Sequence, residues 1–105
     1  MSSIVDKAEV SIDFPDKAYM GSFGRDSSFQ ARATPDQVVL RLERPGEDRR
    51  VAEIHLHYYL FADILDAIAS SLSQQTPIDD LHRAPLAEAA CRLCASLDGK
   101  PVGGR

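Results

Sequence analysis

The spacing of apolar residues changes once along this chain, at Tyr58, and that change leaves few architectures open. Before it, apolar side chains recur every second residue. After it, Phe61, Ile64, Leu65, Ile68 and Leu72 fall at i, i+3, i+4, i+7 and i+11, the stripe of an amphipathic helix. A period of two belongs to a strand and a period near 3.6 to a helix. The reading is therefore strands first and helices afterwards, an α+β domain rather than alternating βαβ units.

The alternating part resolves into five segments. Val10, Ile12 and Phe14 share one side of a first strand that stops at Pro15–Asp16, and AYMGSF (18–23) reads as a second. Gly21 inside it signals a bulge or a close approach of another group. Phe29, Ala31 and Ala33 make one side of a third strand, followed by a turn at Thr34–Pro35–Asp36–Gln37. On a fourth strand Val38, Leu40 and Leu42 point inward, and Val39, Arg41 and Glu43 outward. Pro45–Gly46 suits a turn in which glycine takes positive φ. A fifth strand, about 49–57, places Ala52, Ile54 and Leu56 inside and Glu53, His55 and His57 outside. We expect an antiparallel sheet of four or five strands over residues of about 8–57, followed by two helices packed on one face.

The first helix is expected to end near Gln74. Thr76 as N-cap and Pro77 at the first position open the second helix, with Pro85 marking a short turn or a further start. Its apolar stripe is Leu86, Ala90, Leu93, Cys94 and Leu97, and Gly99 follows as the residue just past the end. The spacing and length predict a single domain over 1–105 with a flexible tail at about 100–105.

Composition narrows the function. The chain is 44% hydrophobic and 27% charged, as ordinary globular domains are. No run of about 18 apolar residues exists to span a membrane, and the N-terminus lacks a basic region followed by an apolar stretch. The expected location is the cytoplasm. The net charge is −4. Residues 1–57 hold eight Lys and Arg against ten Asp and Glu, and residues 58–105 hold four against six. Neither half is basic, which weighs against nucleic acid, whose binding draws on phosphate neutralisation.

The candidate sites are few. His55 and His57, two apart on one side of a strand, could share a metal such as zinc, with Glu53 as a further ligand. Cys91 and Cys94 have C-x₂-C spacing, but they lie within a helix and no second pair accompanies them. They are read as small buried hydrophobes. The loop Gly21–Ser28 could cradle an anion with Arg25 supplying charge, although it fits no phosphate-binding fingerprint and no helix follows it. No nucleophile elbow or paired-carboxylate site is present. The outer sheet face as a whole, Gln30, Arg32, Val39, Arg41, Glu43, Glu53, His55 and His57, is the broadest candidate surface.

Three functional expectations follow. The leading one is a non-enzymatic interaction module, a homodimer joined through the open sheet face or edge, with Arg25, Arg32, Arg41, Glu53, His55 and His57 as binding residues and no cofactor. The second is a metal-binding protein or metal-dependent enzyme built on His55 and His57. The third is single-stranded nucleic-acid binding on the outer face. Strands followed by a helix are also the layout of PUR-repeat and coactivator-type single-strand binders, but this chain has none of their signature residues and few aromatic platforms for stacking.

Overall fold

The computed structural model describes residues 2–99. The expected tail at 100–105 lies outside them. Six strands precede two helices: β1 (Ser2–Ser3), β2 (Ala8–Phe14), β3 (Lys17–Phe23), β4 (Ser28–Ala33), β5 (Gln37–Arg44), β6 (Arg50–His57), α1 (Tyr58–Ser73) and α2 (Asp80–Leu97). All strand pairing is antiparallel, so the α+β class holds. Backbone contacts cluster in two compact units, Met1–Asp66 and Ala67–Arg105.

In the first unit the five expected strands all form, but they do not make one sheet. β1, β4, β5 and β6 lie in that order in a four-stranded sheet, and β2 and β3 pair only with each other as a two-stranded ribbon. β1 was not expected, since two serines carry no periodicity. It adds to the sheet through Ser2 opposite Phe29 and Ser3 opposite Ser28, and the Ile4 N–H continues the attachment by donating to the Ser27 carbonyl at 3.0 Å.

The turns follow their residues. Between β4 and β5 the Thr34 N–H donates to the Gln37 carbonyl at 2.8 Å, and the Thr34 hydroxyl donates to Asp36 Oδ1 at 2.9 Å. The loop from β5 to β6 contains Gly46 at φ 108°, backbone that residues with a Cβ avoid. Gly24 to Ser27 closes as a plain turn, with the Ser27 N–H on the Gly24 carbonyl at 2.9 Å.

On the central strand β5 one residue lies on the expected face but is more buried than an outer position suggests. Val39, expected outside, is 3% exposed. Register sets it between Arg32 on β4 and His55 on β6. A short β-branched side chain between longer ones on both neighbouring strands is readily shielded from water. Val38, Leu40 and Leu42 on the opposite face are half-buried. Phe23, at the end of β3, is the other well-buried side chain of this unit's strands.

β6 passes straight into α1 at Tyr58, where the periodicity changes, and the Tyr58 hydroxyl donates to the Thr34 carbonyl beside it. The start of α2 differs from expectation. Its N-cap is Asp79, whose Oδ1 accepts from the His82 N–H at 3.0 Å. Thr76 and Pro77 lie in the connection. The carboxylate three residues before His82 satisfies one of the free N–H groups of the first turn. Pro85 lies inside α2, where it withholds the N–H that the Leu81 carbonyl would otherwise accept. At the far end Gly99 has φ 72°, and its N–H reaches the Ser96 carbonyl at 3.2 Å, as expected of a glycine just past a helix.

Cys91 and Cys94, expected to be buried, are both free and exposed. Leu86, Leu93 and Leu97 of the same stripe are exposed too. Helical spacing records which residues share a side of α2, but not whether that side is covered.

Candidate functional site: the two faces of strand β6

The ladder between β5 and β6 puts Gln37 opposite His57, Val39 opposite His55, Arg41 opposite Glu53 and Glu43 opposite Val51. These residues share the outer face, as the alternation predicted. Their polar groups join into one chain. His55 Nε2 lies 3.0 Å from Glu53 Oε2. A carboxylate can only accept, so Nε2 carries the proton. In the neutral ring the other nitrogen, Nδ1, then accepts from Gln37 Nε2 at 3.3 Å.

Glu53 turns its second oxygen to Arg41, whose guanidinium donates at 3.1 Å. Arg41 also reaches Glu43 Oε1 at 3.3 Å, and Glu43 Oε2 lies 3.5 Å from Arg49. The electrostatics follow from this order. The His55 hydrogen bond first, and Arg41 second, hold the Glu53 carboxyl below its usual range. Glu53 in turn raises Arg41 further.

Of the six binding residues named from sequence, Arg41, Glu53 and His55 are therefore brought together. His57 shares their face but makes no side-chain hydrogen bond or ion pair among the described residues. Arg32 stands across from Val39 and is likewise unmatched. Arg25 sits apart, exposed in the Gly24–Ser27 turn. The loop's own Asp26 takes Arg44 at 3.1 Å and the Ser27 hydroxyl at 3.0 Å, so the position read as an anion cradle already has a carboxylate beside it.

No group of three or more His, Cys, Asp and Glu side chains able to hold a metal ion occurs among the described residues. Both ring nitrogens of His55 are engaged, so a metal would have to displace Glu53 or Gln37.

The opposite side of β6 was less visible in sequence. A cleft of about 690 Å³ opens between Arg50–Ile54 of β6 and the β2–β3 ribbon. Its apolar walls include Val10, Ile12, Tyr19, Phe23, Ala52 and Ile54. A smaller cavity of about 570 Å³ adjoins it along the ribbon, and Arg50 lines both. Gly21 is where the ribbon passes closest. A Cβ there would stand 3.4 Å from Arg50 Cδ and Nη1, so the close approach signalled by a glycine within a strand is that of the Arg50 side chain. Arg50 itself carried no signal, because nothing local shows which strand it will lie against.

Among the described residues no helix is long and apolar enough to cross a membrane. The chain matches no protein-family model, no curated protein and no solved structure.

Proposed function

We propose that this chain is a non-enzymatic interaction module that forms a homodimer through the open edge of its four-stranded sheet, strand β6. The observation that carries this reading is the difference between the two edges. One is β1, two residues long. The other is β6, eight residues in uninterrupted register with β5 and with no strand on its far side among the described residues.

A long regular edge offers a row of unpaired backbone N–H and C=O groups to another chain. Natural edges are usually blunted by proline, a bulge, lysine or shortness. β6 has no proline, bulge or lysine and is not short; its charges are Arg50 and Glu53, and Ile54 on it is 46% exposed. The outer face is a poorer docking surface, because its central polar groups already satisfy one another.

Two-fold symmetry brings the same strand from each copy together antiparallel. The stretch of β6 that lies mostly beyond the ribbon cleft is 53–57, with Glu53 and Ile54 at the cleft's end. Centring the seam on His55 sets Glu53 against the partner's His57 and Ile54 against the partner's Leu56. Both pairings are favourable across neighbouring strands.

Sedimentation equilibrium is expected to show a dimer. Ile54→Lys, which places a charge in the seam and leaves the strand able to form, shifts it to monomer. Amides of residues 53–57 gain exchange protection as concentration rises. A monomer at high micromolar concentration, or a dimer unaffected by Ile54→Lys, overturns the proposal.

A further inference from the structure

Arg50 carries a charge beside the ribbon that no carboxylate among the described residues matches. Its neighbours are each neutralised: Arg41 by Glu43 and Glu53, Arg44 by Asp26, and Arg49 by Glu43. Two carboxylates line the same cavities, and each has a partner other than Arg50, Glu9 only in an exposed pair. Glu9 faces Lys7 at 3.6 Å, and Glu53 is held between Arg41 and His55.

Arg50 has no side-chain partner among the described residues, though it is half-buried and lies directly across the ladder from Arg44. Like charges facing each other across two strands are unfavourable. Asp26 relieves Arg44, and nothing relieves Arg50. The side chain lies against Gly21, so its head is aimed along the ribbon rather than free in solvent.

We propose that the cleft between β6 and the β2–β3 ribbon binds an amphiphilic monocarboxylate, with its head group on Arg50 and its apolar body along Val10, Ile12, Tyr19, Phe23, Ala52 and Ile54. A guanidinium presents paired donors that match the two oxygens of a carboxylate. One unmatched arginine neutralises one negative charge, which favours a monocarboxylate over a dianionic phosphate ester. The cleft volume of about 690 Å³ lies in the range of small-molecule sites, and an apolar lining with one oriented charge is their usual make-up. The proposal does not depend on dimer formation.

The test uses the full chain with decanoate and 1-decanol, each kept below its solubility and micelle limits, followed by calorimetry and by amide shifts. Decanoate is expected to saturate a single site and to shift amides of residues 10–23 and 50–54. Decanol, with the same apolar body and no charge, binds at least about tenfold more weakly. Arg50→Met keeps the stem and removes the charge, so it weakens decanoate by at least about tenfold and leaves decanol unchanged.

Equal affinity for the two ligands would overturn the role of Arg50. So would decanoate binding that survives Arg50→Met, whereas inorganic phosphate shifting the same amides as strongly would overturn the choice of an amphiphilic monocarboxylate. Shifts confined to the helices, or no binding by about 1 mM, would overturn the site. If Arg50→Met does not fold, the comparison of the two ligands on the native chain decides alone.

Discussion

His55 and Glu53, two apart on the outer face of β6, hold each other through Nε2 and Oε2 at 3.0 Å, and this bond sets the state of both groups. The imidazole is fixed as the Nε2–H tautomer, with Nδ1 accepting from Gln37. Long-range nitrogen–proton correlation spectra at neutral pH are expected to show that tautomer for His55. Glu53→Gln frees the ring to exchange between its two forms. An equal tautomer mixture in the native protein would contradict the hydrogen-bond assignment.

The same bond predicts a pH dependence with a definite sign. The folded-state pKa of Glu53 lies below the carboxylate's ordinary 4.5. The unfolded chain therefore takes up the proton first as pH falls. The stabilisation is fully present above the unfolded value and is lost as pH drops through the folded one. The difference in denaturation midpoint between the native chain and Glu53→Gln should be constant near neutrality and shrink below about pH 4.5. The residues are exposed, so the difference is small and declines with salt.

At α2 the cap gives a second acid-sensitive point. The His82 backbone N–H, and then its ring, hold Asp79 below the ordinary 3.8. Asp79→Ala removes the acceptor at 3.0 Å and is expected to fray the first turn of α2, with less helical circular dichroism and a melting point lower by a few degrees. Asp79→Asn keeps an acceptor for the N–H, so it should cost less at neutral pH and remove the acid dependence.

Gly46→Ala tests a backbone requirement. At φ 108° no atom lies within 4 Å of the added Cβ, so any cost arises from backbone conformation alone. A loss of about 1–2 kcal/mol in stability is expected from chemical denaturation. Gly24→Ala, where φ is ordinary and the space is also open, serves as the control and should be near neutral.

The cysteines give a prediction about exposure. Both thiols are free and exposed, so a thiol reagent should modify Cys91 and Cys94 in the native protein, without denaturant. Thiols that resist the reagent without denaturant would contradict the exposure of α2 at these positions.

Local sequence determined the elements and several of their ends. The shift from a period of two to one near 3.6 marks the passage from β6 to α1 at Tyr58, because side-chain direction repeats with backbone geometry. Gly46 and Gly99 occupy the positive-φ positions their context demanded. The outward set Arg41, Glu53 and His55 was legible for the same reason: alternation fixes the face once a strand is given.

Tertiary structure alone decided what those faces meet. Which strands share a sheet depends on pairings between distant residues, so β2 and β3 stand apart as a ribbon and two serines become an edge strand. Val39 is buried although it lies on the outer face between two neighbouring strands, and no pattern within its own strand records that. Cys91 and Cys94 follow a buried-looking helical stripe and yet are exposed, because periodicity aligns a surface without covering it. The unmatched charge of Arg50 shows only once Arg41, Arg44 and Arg49 have found their carboxylates. Backbone direction is a property of a few consecutive residues, whereas burial and charge balance are properties of contacts between residues far apart in the chain.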